Sequence, residues 1–461
     1  MNNFLLRSAP TWQDFDELAW DKNDEDWKGA QKALSKKSLC RRLELLVTEK
    51  FEKAATWIPP MIIGGFNNLY RIRIEGVSSD VLVRRPSVSQ AQFPQEKTLR
   101  EAATAKYIRQ NTNIPTPRVL LYKRVENKST LSHALTTPGL DRSVAHALDP
   151  NISQKTLKDL YLKVANIMLE LSHHKFTAIG SLVEIDNGSF LVVGRPITQN
   201  MSDMLQLANI PSATFHPEDK TFGSSDEYYL NLAQGHLAQL IFQQNDLVKS
   251  ADDCRNKYVA RQIFRQLAEQ GRLSAFGFAE DTYSIRLYGD DFRPGNILIN
   301  DANEVVSVID WEFTYTAPTQ FVLHPPWWLL LDTPEMWDAD IDNWVEKYEL
   351  RLETWLSAMR EAEEIENGRF WLTYATRKSW VFDTLYWKFL DEKFFGKRES
   401  TVEKNDLWKT RVHLLSESVR NVMESFVQRK LEEMKERKLV DWDPEMAKSR
   451  LQEVHLNGEV S

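Results

Sequence analysis

Residues Arg286 to Tyr315 read RLYGDDFRPGNILINDANEVVSVIDWEFTY, and the rest of the chain is organised around them. Ile297-Leu298-Ile299 is a short apolar strand, and Val305 to Ile309 is a second strand rich in β-branched residues. Asp301-Ala302-Asn303-Glu304 between them is turn chemistry, so the stretch predicts a β-hairpin. With the turn centred on Asn303, antiparallel pairing places Asn296 opposite Asp310 at the open end of the hairpin. Asp291 lies one short loop upstream, where Pro294-Gly295 bends the chain back toward the same place. Two oxygen-bearing side chains beside a further carboxylate suit a hard cation with an adjacent base.

The chain around this hairpin has 461 residues, enough for two domains. Hydrophobic residues make up 42%, and 15 tryptophans add bulk for burial, so a folded globular protein is expected. Lys plus Arg at 58 against Asp plus Glu at 66 gives a net charge of -8, which argues against general attraction to nucleic acid or anionic membrane. Phosphate binding therefore has to come from a local basic site. Cys40 and Cys254 lack metal-ligand spacing and fit a reducing compartment. The best apolar run, Trp327 to Leu331, is too short to cross a bilayer, and Met1 to Arg7 is a poor targeting segment. A cytoplasmic protein is expected; the oligomeric state is unknown.

Residues 1–60 are charged and read as one or two helices laid on the first domain, with Leu43, Leu45, Leu46 and Phe51 as the apolar face. Strands begin at Met61. Gly64-Gly65-Phe66-Asn67-Asn68 is a turn leading into the alternating strand Leu69 to Ile74, and Val81 to Arg84 follows. Gly64, Gly65 and Asn67 either let backbone N–H groups approach a phosphate or simply make a hairpin turn. Arg84 stands at the end of its strand. A helix over Gln95 to Gln110 has Leu99, Ala102, Ala103 and Ile108 as its stripe, and Glu101 beside it either pairs with Arg84 or faces solvent. Val119 to Tyr122 is a further strand. Helices are expected at Thr156 to Ser172, Ser225 to Asp246, Asp252 to Gln270 and across 340–395, with a tail helix from Trp408 to Lys438.

These pieces together resemble the aminoglycoside phosphotransferase family, whose fold is similar to that of protein kinases. Asp291-Phe292-Arg293-Pro294-Gly295-Asn296 is similar to the family's DxHPGN block, and Ile309-Asp310-Trp311-Glu312 to its IDWE block. The chain looks closest to a broad fungal group, over most of residues 60–395. The resemblance implies an α+β, two-lobed fold: a β-rich N-lobe at 61–125, a mainly helical C-lobe at 126–395 and a charged helical tail at 396–461. It implies ATP and Mg2+ as cofactors and a small-molecule hydroxyl as the acceptor of the γ-phosphoryl group. Asp291 would be the catalytic base or orienting carboxylate, Asn296 and Asp310 the magnesium ligands, Arg84 the phosphate cation and Glu101 its helix partner. Arg293, where the family has His, would reach the transferred group or tie the loop to the backbone.

Departures from the family pattern fall at the loop and at the hinge. Gly289 and Asp290 replace the His-Gly before the catalytic Asp, which removes the His that braces the loop. The family's adenine-binding hinge after Tyr122 is reduced to Lys123-Arg124-Val125. The alternative to an active enzyme is thus a kinase-like binding or regulatory protein, catalytically impaired by a shortened hinge.

Overall fold

The computed structural model describes residues 14–454 except 79, 88–89, 91, 118–128, 138–147, 187, 277–283, 323, 338–340, 363–369 and 400. The expected strand at Val119 to Tyr122 and the hinge at Lys123 to Val125 lie outside the described residues.

The chain opens with helices α1 (Glu17–Leu34) and α2 (Lys37–Phe51). A three-stranded antiparallel sheet follows, built from β1 (Ala55–Ile63), β2 (Asn67–Ile74) and β3 (Val81–Pro86). β1 starts before the expected Met61, and its pairing with β2 breaks between Ile58 and Ile62. Pro59 and Pro60 lie in that gap and have no N–H to give to a ladder. Helix α3 (Pro94–Asn111) completes the N-lobe.

α2 covers one face of this sheet. Val47 joins Ile72, Ile74 and Val81 in a small core, with Leu43 and Phe51 packed against it. Cys40 is buried as well. The buried stripe therefore runs through 40, 43, 47 and 51, at helical spacing. Leu45 and Leu46, expected inward, are 60% and 57% exposed. Leu99 on α3 is likewise exposed, at 59%, while Ala103 and Ile108 are buried as expected.

α1 does more than lie on the N-lobe. At its start Asp16 caps the helix by accepting from Leu18 and Ala19 N–H, and Asp16 N–H donates to the Leu207 carbonyl of the C-lobe at 2.9 Å. At its end Gln31 Nε2 donates to Asn68 Oδ1 at 3.3 Å, and the Leu34 carbonyl accepts from Tyr70 OH at 2.7 Å. The helix thus straps one lobe to the other.

The C-lobe continues with β4 (Ser129–Thr130), α4 (Leu131–Leu135), α5 (Gln154–Ser172), β5 (Lys175–Phe176), the hairpin β6 (Ser181–Asp186) and β7 (Ser189–Gly194), then α6 (Gln199–Leu207), α7 (Ser225–Phe242) and α8 (Ala251–Glu269). α5, α7 and α8 are lined by Leu, Ile, Val and aromatic residues that form one large core. Next come β8 (Ile285–Gly289), β9 (Ile297–Ile299), β10 (Val305–Val308) and β11 (Thr314–Pro318). β9 and β10 are the predicted hairpin, while β8 pairs antiparallel with β11 and carries the chain into the loop at Asp290. Trp328, Leu329 and Leu330 are buried as expected.

The expected tail helix from Trp408 to Lys438 is interrupted. Ser416 caps a new helix, Glu417–Glu436, by accepting from Val419 N–H. Met423, Phe426 and Val427 of that helix join the main core, and Tyr258 OH on α8 donates to the Val419 carbonyl at 3.0 Å. Among the described residues, no helix is long and apolar enough to cross a membrane.

Candidate active site

The hairpin forms, but with its register shifted by one. Val308 pairs with Ile297 and Ser307 with Leu298, and an irregularity between Val305 and Ser307 places a bulge at Val306. Asn296 accordingly lies opposite Ile309, whose N–H donates to the Asn296 carbonyl at 2.9 Å, and not opposite Asp310 as expected. Asp310 is the first residue past the ladder and adopts the left-handed region at φ 65°. Asp tolerates this conformation better than most residues, and it turns the carboxylate out of the hairpin. Phe313 is left-handed as well, at φ 59°, a rarer choice for a bulky side chain.

Asp291 sits in the loop after β8, with its side chain 12% exposed. Arg293 Nε donates to Asp291 Oδ1 at 3.0 Å, so Arg293 is paired to the carboxylate next to it. Asn296 Nδ2 donates to the Asp291 carbonyl at 2.8 Å and fixes the loop from the hairpin side. Burial pushes the Asp291 carboxyl up; Arg293 opposes this, and the charges of Asp310 and Asp290 add to it.

Asp290 supplies the brace that the missing His would have given. Its Oδ1 accepts from Arg377 Nη1 at 2.9 Å and its Oδ2 from Gln199 N–H at 3.0 Å. Arg377 Nη2 donates to His324 Nε2 at 2.7 Å, which leaves His324 Nδ1–H to donate to the Pro325 carbonyl at 2.6 Å. Both partners of the Asp290–Arg377 pair are buried, at 2% and 3% side-chain exposure. Removing one member of such a pair leaves an uncompensated buried charge, at a cost of about 3–5 kcal/mol. Arg377→Leu is expected to lose stability on that scale in urea unfolding; a loss below about 1 kcal/mol contradicts the brace. Gly289 serves the same loop by having no side chain, because a Cβ there would stand 2.9 Å from Phe292 Cβ.

On the N-lobe side, Arg84 Nη1 meets Glu101 Oε1 at 2.6 Å, the expected pairing. Arg84 Nη2 also meets Asp310 Oδ1 at 2.7 Å and Glu312 Oε2 at 3.0 Å. Two further residues join this network: Lys97, which the sequence reading did not single out, and Glu312, which it quoted in the IDWE block without a role. Lys97 Nζ is bonded to Glu312 Oε2, and both side chains are almost fully buried. Lys97 precedes Glu101 by one helical turn, so i,i+4 spacing could have marked it. Burial pushes the Glu101 carboxyl up and the Lys97 ammonium down; Arg84 opposes the first shift and Glu101 the second.

The turn is held by its own contacts. Asn67 Nδ2 donates to Glu312 Oε2 at 3.0 Å, so this side chain faces the carboxylate network. Gly64 N–H donates to the Asn67 carbonyl at 2.8 Å, and a Cβ on Gly64 would lie 2.8 Å from that same oxygen, so the tight turn itself requires the glycine. Gly65 lies half-buried in the bend. On the C-lobe side, α6 brings Asp203 within electrostatic reach of Asp291. Burial pushes the Asp203 carboxyl up to about 7, opposed by Lys378 and reinforced by Asp290, Asp291 and Glu335.

The donor set suits magnesium. With Asn296 Nδ2 turned to the Asp291 carbonyl, Asn296 Oδ1 and the Asp310 carboxylate are hard oxygen donors, and magnesium typically takes one or two carboxylates with phosphates and water completing its shell.

A β-sheet lobe and a helical lobe meet at a cleft that holds a loop Asp, an Asn–Asp pair and a strand Arg tied to a helix Glu. The fold that carries them is protein-kinase-like, a two-lobed α+β architecture. The model of the phosphotransferase enzyme family, APH, matches residues 62–359, and the chain belongs to that family. No curated protein sequence matches it. Among solved structures it is similar to macrolide 2'-phosphotransferase type I, at 11% identity and a TM-score of 0.39, covering 83% of this chain and 98% of that one. It is similar also to a thermostable aminoglycoside phosphotransferase APH(4)-Ia in complex with AMP-PNP and hygromycin B, at 12% identity, TM-score 0.36 and coverage of 84% and 97%. The ethanolamine kinase of Plasmodium vivax matches at 10% identity and TM-score 0.37, covering 87% and 96%.

Proposed function

We propose that the protein is an ATP- and magnesium-dependent phosphotransferase that moves the γ-phosphoryl group to a hydroxyl of a small molecule. The observation that carries this reading is the joining of Asp291, Asn296 and Asp310 to the Arg84–Glu101 pair across one cleft, through the 2.7 Å contact of Arg84 with Asp310. Asp291 orients the acceptor hydroxyl and takes its proton, and the Arg293 contact at 3.0 Å keeps its carboxylate aimed. Asn296 and Asp310 hold magnesium, which when bound neutralises charge on the transferred group. Arg84 presents a fixed guanidinium to the phosphates, oriented by Glu101.

The charges of the cleft support metal dependence. In the ion-paired network at Asp310, Arg84 and Lys97 share Glu101, Asp310 and Glu312, two cations against three carboxylates. Triphosphate alone therefore meets a site of net negative charge, and a divalent cation reverses the balance. ATP with magnesium is expected to raise the melting temperature, since ligand at about a hundred times its dissociation constant adds about 2.7 kcal/mol. ATP with EDTA is expected to leave it unchanged. Absence of any shift at millimolar ATP and magnesium contradicts the reading.

A further inference from the structure

Glu312 lies two residues after Asp310, on the C-lobe side of the cleft, with its side chain 2% exposed. Its Oε2 collects one group from each of three N-lobe elements. Asn67 Nδ2 comes from the start of β2 at 3.0 Å, Arg84 Nη2 from β3 at 3.0 Å, and Lys97 Nζ from α3. Aromatic rings close over the same point. The Lys97 ammonium lies 4.8 Å from the centroid of Phe66, in the turn, and 4.9 Å from that of Phe313, in the loop after Asp310. Those two rings pack edge to face at 5.2 Å.

Burying a carboxylate and an ammonium costs hydration that their attraction often fails to return, so this arrangement is a poor way to gain stability alone. Its contacts come from three N-lobe elements and one C-lobe loop, and all are satisfied at once in a single relative placement of the four. We infer that Glu312 is a positioning residue, which couples the Gly64–Asn68 turn, β3 and α3 to the loop carrying Asp310, so that seating the turn and aiming the metal ligand are one event. Its charge has a second effect. Arg84 already lies 2.7 Å from Asp310, and loss of the Glu312 charge leaves both Arg84 and Lys97 to lean on Asp310 and Glu101. Magnesium then has to compete harder for Asp310. This second effect rests on the proposed nucleotide site, and the first does not.

Both are tested with Glu312→Gln. Without any ligand, amide hydrogen exchange in residues 64–70 is expected to speed up about tenfold, as for loss of a hydrogen bond to a charged group, with α7 and α8 unchanged. Exchange at the parent rate there overturns the coupling. Asn67→Ala, which deletes only the turn's attachment, gives the same readout if Glu312→Gln fails to fold. In nucleotide binding followed by calorimetry, the magnesium concentration for half-saturation is expected to rise about tenfold in Glu312→Gln. It is expected to fall back in Lys97→Met/Glu312→Gln, where one cation and one anion leave together. A magnesium requirement unchanged in the single variant, or not recovered in the double, overturns the charge role. A parent that binds no magnesium–nucleotide sinks the proposed function, and the exchange result still decides the coupling.

Discussion

Asp291→Asn is expected to lower phosphoryl transfer by roughly three orders of magnitude, within the range for removing a positioned general base, while magnesium–ATP still binds. The substitution keeps the shape of the side chain. Asn296 Nδ2 bonds the Asp291 backbone carbonyl, so the loop keeps that anchor. Arg293 loses its carboxylate partner, but its side chain is 45% exposed, so water can solvate the freed guanidinium. The buried brace of Asp290 with Arg377 is untouched. Turnover of the variant within tenfold of the parent, at saturating ATP, contradicts the role given to Asp291.

Asp310→Ala is expected to abolish the magnesium-dependent melting shift and, with it, turnover. Asp310 is the one carboxylate of the proposed metal pair, and an Asn carbonyl alone is a weak ligand for a hard, strongly hydrated cation. Arg84 keeps Glu101 at 2.6 Å and Glu312 at 3.0 Å in the variant, so the N-lobe side of the cleft retains its contacts. The melting temperature without ligand is expected to fall somewhat, because Ala tolerates the left-handed φ of 65° less well than Asp, so the ligand shift is read against the variant's own ligand-free value. A shift of parental size with magnesium and ATP shows that the metal is held elsewhere.

What was legible in the sequence was local. β-Branched residues and turn chemistry marked the hairpin, and of the two readings left open for Glu101 the pairing with Arg84, which the family resemblance implied, is the one that forms. The register was lost because a bulge is set by partners outside the hairpin. Val308 N–H donates to the Pro115 carbonyl at 2.6 Å, a contact from a distant segment. Asp290 read as the loss of a brace, since its partner Arg377 is 87 residues further along the chain. Lys97 and Glu312 were hidden differently. Lys97 looked like an ordinary charged residue of its helix and Glu312 was only the last letter of the IDWE block, whereas the Lys97 ammonium is buried against two rings, Phe66 and Phe313, that come from distant parts of the chain. The misplaced leucines of α2 show the limit of counting apolar residues. Leu45 and Leu46 are exposed because the sheet meets the stripe through Val47, whose period they do not share.

The proposed transfer itself is tested most directly by 31P NMR of the protein with ATP, magnesium and a panel of small hydroxylated molecules. Loss of the γ-phosphate signal with growth of a phosphomonoester resonance, absent with Asp291→Asn, is the predicted result. ATP left intact across a panel of sugars, amino alcohols and hydroxyamino acids, or a phosphomonoester formed equally well by Asp291→Asn, would contradict it.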